Sequence, residues 1–171
     1  LDVWDSNGTI DGFDVVSSIT DFWVGIGLAR SSFNVRNVNI QNAPGGIEVW
    51  HSINNVFDNI TYTTDNPDFR FFYAYNVTGL TLKNSYSEHT GGVSNNWDIR
   101  FERSTDVYIF NNTVKNAEWG IVMCDGNTNF LVEKNRILGA GNKGTYTCGY
   151  TYVAIAVTSI GTEASLDFLW P

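Results

Sequence analysis

A short alternating motif recurs through the chain every 22 to 27 residues, and a repeat of that length admits few architectures. Phe33 and Val35, Asn55 and Phe57, Leu80 and Leu82, Val107 and Ile109, and Phe130 and Val132 form a first series. Period-2 spacing puts each pair on one face of a strand. Asn37, Asn59, Asn84, Asn111 and Asn135 follow close behind and predict a turn, because asparagine bonds nearby backbone and tolerates left-handed geometry. A second strand is predicted at Ile26/Leu28, Ile47/Val49, Phe69/Phe71, Ile99/Phe101 and Ile121/Met123, continued by Ile155 and Val157. Two short strands cannot bury their own apolar face, whereas stacked copies can. The chain is therefore expected to be all-β, a right-handed parallel β-helix (solenoid) of about six rungs, with residues 1–171 as a single domain. Two repeats carry extra residues, at Ser87 to Asn96 and Gly141 to Thr151, and both runs read as projecting loops. Residues 158–171 break the repeat but hold Ile160, Leu166, Phe168, Leu169 and Trp170, as a C-terminal cap or docking segment would.

Charge and cysteine content narrow the function classes. Eighteen acidic against ten basic side chains give a net charge of −8, the wrong sign for gripping a phosphate backbone. No run of eighteen apolar residues predicts membrane insertion. Nucleic acid and membrane are thus set aside as partners. Cys124 and Cys148 are the only cysteines, 24 residues apart, close to one repeat. Neighbouring rungs lie near enough for a disulfide if the Cβ vectors agree.

The phrases Asn76-Val77-Thr78-Gly79-Leu80-Thr81-Leu82-Lys83-Asn84, Asn111-Asn112-Thr113-Val114 and Gly46-Ile47-Glu48-Val49 resemble the parallel β-helix repeats of the pectate-lyase-like superfamily over residues 10 to 157. That resemblance implies an extracellular or cell-surface protein. Polysaccharide lyases, glycoside hydrolases, tailspikes and adhesins share the fold, so function must be argued from the site. The Asn-Thr-Asp, Asp-Asp, Gly-His-Gly and Arg-Ile-Lys signatures of the polygalacturonase type are absent. A lyase-like mechanism would need an Arg or Lys base, for which Arg70 and Arg100 are the catalytic candidates.

Around them, Glu48, Arg70 and Arg100 are expected in one outward column, with Asp68, Asp98, Glu102 and Arg103 beside it. The alternative is a ladder of exposed ion pairs, each worth about 0–1 kcal/mol. Trp50 and Phe72 are expected in a second outward column, with Tyr73 following and Trp97 and Trp119 near turns, giving flat surfaces on which sugar rings stack. Glu48, Trp50, Phe72, Tyr73 and Trp97 are therefore the substrate-binding candidates. His51 and His89 are assigned to the surface, His51 at a strand end and His89 in a long loop.

No cofactor is required by these patterns. The one ion to consider is Ca2+, at Asp5-Ser6-Asn7-Gly8 with Asp11 or at Asp125 to Asn129, although neither run completes an EF-hand loop. Sequons occur at Asn7, Asn59, Asn76 and Asn111. Asn59 and Asn111 are expected to stack inward with the asparagine column, leaving Asn7 and Asn76 as glycosylation sites. Lacking a catalytic signature, the chain reads as an extracellular structural or adhesive protein that self-assembles into a homopolymer or binds polysaccharide, rather than as an enzyme. The alternative is a small lyase or hydrolase acting on acidic polysaccharide.

Overall fold

A computed structural model describes residues 1–17, 24–92 and 97–139. Beyond these it gives the backbone of the strands Thr145–Cys148, Val153–Ile155, Ser159–Ile160 and Glu163–Ser165. The chain is all-β, with parallel strands stacked as a β-solenoid of about five turns, where the sequence suggested six rungs. Among the described residues the strands form two sheets, one of seven strands and one of thirteen. The seven-stranded sheet runs in chain order through Asp2–Trp4, Ile26–Ala29, Gly45–Trp50, Arg70–Tyr75, Trp97–Glu102, Trp119–Cys124 and Thr145–Cys148.

The first sequence series lies in the thirteen-stranded sheet in the expected register, with Val35, Phe57, Leu82, Ile109 and Val132 in one column. A third strand segment in each turn escaped the sequence reading. It carries the inward residues Val38/Ile40, Ile60/Tyr62, Ser87/His89, Val114 and Ile137, all buried. In the early turns it continues the preceding strand, as in Ser32–Gln41 and Val56–Thr64. Later it separates, as Tyr86–His89, Thr113–Lys115 and Arg136–Leu138. Ser87 to His89 therefore belong to a paired strand and not to a loop. Thr145–Cys148 likewise lies in the seven-stranded sheet, not in a projecting loop. Residues 93–96, 141–144 and 149–151 of the two expected loops lie outside the described residues.

The turns follow a two-residue rule. Asn37, Asn59, Asn84 and Asn111 adopt φ of 52–56°, and Lys134, not Asn135, is the next member at φ 56°. Each is followed by an inward residue, and where that residue is polar it caps the backbone of the turn below. Ser85 Oγ accepts from Ile60 N at 3.2 Å, Asn112 Oδ1 from Ser85 N at 2.9 Å, and Asn135 Oδ1 from Asn112 N at 2.9 Å. These bonds satisfy buried amides that the bend removes from the ladder. The left-handed asparagines themselves face outward and link edge to edge, Asn59 Nδ2 donating to Asn37 Oδ1 at 2.8 Å and Asn111 Nδ2 to Asn84 Oδ1 at 2.9 Å. The expectation that Asn59 and Asn111 stack inward is thus reversed.

Inside, an aromatic spine crosses the turns. Phe57 meets Phe72 at 5.0 Å between ring centroids, Phe72 meets Phe101 at 5.7 Å, and Phe101 meets Phe130 at 5.4 Å. The corner entering the seven-stranded sheet points two successive residues inward, and the first must be small wherever the wall is close. A Cβ on Gly46 would stand 2.5 Å from the Phe71 carbonyl oxygen, and one on Gly120 would stand 2.6 Å from Ile137. The two intervening turns place Phe71 and Asp98 there instead.

Toward the C-terminus, Val153–Ile155 pairs with Thr128–Glu133, so Ile155 continues the first series and not the second; Val157 lies outside the described residues. Glu163–Ser165 runs antiparallel along Arg136–Leu138. The other residues of the expected cap, 158, 161–162 and 166–171, lie outside the described residues. The register sets Cys124 opposite Cys148, and Cys124 is disulfide-bonded, with Cys148 the only other cysteine in the chain. Closing a loop of that length removes unfolded-state freedom worth about 3 kcal/mol. Reduction, or Cys124→Ser, is expected to lower the unfolding midpoint measured with and without dithiothreitol; an unchanged midpoint would show that the bridge does not hold the last turn.

Candidate functional site

Alternation along the strands of the seven-stranded sheet sends every second side chain outward, and parallel register stacks these into columns about 4.8 Å apart. One column holds Asp2, Gly27, Glu48, Tyr73, Arg100 and Val122. The next holds Trp4, Ala29, Trp50, Tyr75, Glu102 and Cys124. On the other side Gly45 pairs with Arg70 and Trp97 with Trp119, and the same register brings Arg70 beside Trp97.

Three sequence expectations change here. Phe72 faces the core at 0% exposure, because Phe72, not Phe71, aligns with Ile47 and Ile99. The partner of Trp50 in its column is Tyr75. Glu48 and Arg100 share a column, but Arg70 stands one column away. The bend explains all three: two consecutive inward residues at the corner shift the alternation by one.

The groups on this face interlock. Trp50 contacts Tyr73 at 5.2 Å edge-on and Tyr75 at 5.4 Å, and Tyr73 contacts Trp97 at 5.6 Å. Two guanidinium groups lie against the Trp97 indole, Arg70 at 5.0 Å and Arg100 at 5.1 Å from its centroid. Each is held by a carboxylate: Arg70 Nη2 donates to Glu48 Oε1 at 2.5 Å, and Arg100 Nη2 donates to Glu102 Oε1. Glu48 Oε2 also accepts from Trp50 Nε1 at 3.4 Å. Burial pushes the Tyr73 hydroxyl up to about 12, and the charge and hydrogen bond of Glu102 add to the rise, so it stays protonated at neutral pH. From the next turn of the coil, Arg103 stacks 5.5 Å over Tyr75 and donates to its hydroxyl at 2.8 Å. Thus Glu48, Trp50, Tyr73, Trp97, Arg70 and Arg100 form one patch. Tyr75 was missed by the sequence reading, although it follows Trp50 by 25 residues, one turn of the coil.

The remaining candidates are dispersed. His51 is exposed at the edge of the same face, its Nδ1 2.7 Å from Asn76 Nδ2. His89, expected on the surface, is 1% exposed inside the coil, with Nε2 3.1 Å from Asp98 Oδ1. Its strand escaped detection because its inward residues, Ser87 and His89, are polar. The oxygen-rich runs do not converge: the Asp5 carboxylate is gripped by Arg30, and buried Asn127 bonds the backbone of Ser104, Phe101 and Cys124. Among the described residues no three His, Cys, Asp or Glu gather as a metal site. Asn7, Asn59, Asn76 and Asn111 are all exposed.

No protein-family model, curated protein or solved structure matches the chain.

The patch must therefore be read from its own chemistry. Its rings are half-buried on the outer side of the sheet and are bordered by the paired charges of Arg70, Arg100, Glu48 and Glu102. Both candidate bases, Arg70 and Arg100, are engaged by a carboxylate and an indole.

Proposed function

We propose that this chain is an extracellular or cell-surface β-helix of the pectate-lyase-like kind that binds polysaccharide through the outer face of its seven-stranded sheet. The observation that carries this reading is the continuous set of ring contacts from Tyr75 through Trp50 and Tyr73 to Trp97, flanked by Arg70, Arg100, Glu48 and Glu102. A sugar chain presents alternating C–H faces and hydroxyl edges, and aromatic rings bordered by donors and acceptors complement both. The net charge of −8 argues against polyanions as general partners and favours neutral glycans. In this reading Arg70 and Arg100 position the Trp97 ring and do not remove protons.

The test is titration calorimetry against soluble β-glucan, galactan, mannan and polygalacturonate. Trp97→Ala is expected to weaken binding by about tenfold, equivalent to about 1.4 kcal/mol, while circular dichroism stays unchanged. Binding unaffected by Trp97→Ala, or none to any glycan, would sink the reading. Unsaturated uronate products from polygalacturonate would replace it with a lyase.

A further inference from the structure

Toward the N-terminal turns the outer face of the seven-stranded sheet loses its large side chains for one rung. Ile26–Ala29 contributes only Gly27 and Ala29 to the two outer columns, where the rung before it contributes Asp2 and Trp4 and the rung after it Glu48 and Trp50. A cleft of about 340 Å³ lies there, with Gly27, Ala29, Trp4, Trp50, Arg30 and Glu48 in its lining. That volume is at the small end of the ligand-site range of about 300–1,000 Å³.

We propose that this cleft is a subsite for one unit of the glycan held on the aromatic patch, so that a single chain reaches from Trp97 to the cleft; the assignment rests on the glycan-binding reading of the face. Trp50 and Glu48 line the cleft and also belong to the patch, Trp50 through its contacts with Tyr73 and Tyr75 and Glu48 through its bond to Arg70. A guest in the cleft is therefore next to whatever the patch binds. The Gly27 rung stands three rungs from the Trp97 rung, about 14 Å along the coil. Both ends are occupied together only by a ligand several units long.

The lining suits a neutral, hydroxyl-bearing guest. Trp4 is 62% exposed and supplies apolar surface, and the Arg30 guanidinium lies 5.4 Å from its centroid, so that wall offers a donor beside the indole. Arg30 Nε and Nη2 each donate to Asp5 at 2.6 Å, which leaves Nη1 as that donor. Arg30 and Glu48 are both offset by ion-pair partners, Asp5 and Arg70. The carboxylate of Asp2 lies across the floor, since a Cβ on Gly27 would collide with its Oδ1, and it adds an acceptor. An anionic guest would face that carboxylate and a cationic one the guanidinium. A sugar unit, with C–H and hydroxyl groups and no charge, meets neither penalty.

Calorimetry with the bioses and hexaoses of β-1,4-linked glucose, mannose and galactose tests the assignment. Trp4→Ala, which removes exposed lining, and Ala29→Leu, which fills the cleft, are each expected to weaken the hexaose that the wild type binds about tenfold, with unchanged circular dichroism, and to leave the corresponding biose unaffected. Trp97→Ala is expected to weaken both. Hexaose affinity that Trp97→Ala lowers but Trp4→Ala and Ala29→Leu leave intact overturns the cleft and keeps the patch as the glycan site. An equal loss for biose and hexaose in the two cleft variants overturns the single bound chain, because the shorter sugar does not span from Trp97 to the cleft. Failure of every hexaose to bind overturns the glycan reading and the cleft with it.

Discussion

Phe72→Ala is expected to lower stability by about 3–5 kcal/mol, read as a fall in the urea midpoint with little change in slope. The ring is fully buried and touches Phe57, Phe71 and Phe101 at centroid distances of 5.0, 6.0 and 5.7 Å. It links two turns through the spine of the solenoid, and stability in such a stack is close to a sum of neighbour terms. A cavity in a central turn therefore weakens contacts on both sides. Tyr73→Phe, one residue along and on the opposite face, serves as the control and keeps the ring while losing the hydroxyl. A one-residue slip of register would exchange the two positions. A loss below about 1 kcal/mol for Phe72→Ala, within the range of ordinary surface substitutions, would contradict the register that builds the aromatic face.

Asp98→Gly is expected to be nearly as damaging, at about 3–5 kcal/mol, although glycine is what this corner holds at Gly46 and Gly120. Its backbone tolerates the change; His89 does not. Asp98 is 0% exposed, its Oδ1 lies 3.1 Å from His89 Nε2, and the same oxygen accepts from Phe71 N at 3.2 Å. Removing the carboxylate leaves a buried imidazole and a buried amide without their partner. The double variant Asp98→Gly/His89→Leu removes the polar group as well and is expected to regain most of the loss, since an apolar pair of suitable volume can replace a buried ion pair. If the double variant is no more stable than Asp98→Gly, the pair is not the source of the effect.

The same pair gives the fold a pH dependence. Burial disfavours the charged imidazole, but the hydrogen bond and charge of Asp98 outweigh it, with the Asn66 backbone adding in the same direction, and the folded-state value of His89 is raised above the ordinary 6.5. The folded protein holds this proton more tightly than the unfolded chain does. The contribution of the pair is thus complete below pH 6.5 and is lost as pH rises through the folded-state value. Urea midpoints measured upward from pH 6 are expected to fall in the wild type more than in the double variant.

The solenoid was legible because its repeat is enforced by burial. Phe57, Leu82, Ile109 and Val132 recur at each turn since each fills the same interior column, so a period-2 pair spaced by one turn betrays both the strand and its neighbours. Cys124 and Cys148 were legible as a pair for the same reason. The third strand was hidden where its inward residues are Ser87 and His89, whose burial depends on partners rather than on apolarity. Phe69, Phe71 and Phe72 offered three aromatic choices for two inward positions, and local alternation cannot choose among them.

The sequence by itself determined the parallel stacking, four of the turn asparagines and the identity of most residues on the outer aromatic face, because repetition along the chain becomes adjacency across the sheet. Only the tertiary structure decided which side of the sheet each aromatic faces and that Arg70 and Arg100 grip one indole. Those outcomes turn on the corner where two successive residues point inward. That bend shifts the alternation by one, and it is set by packing against the neighbouring turns.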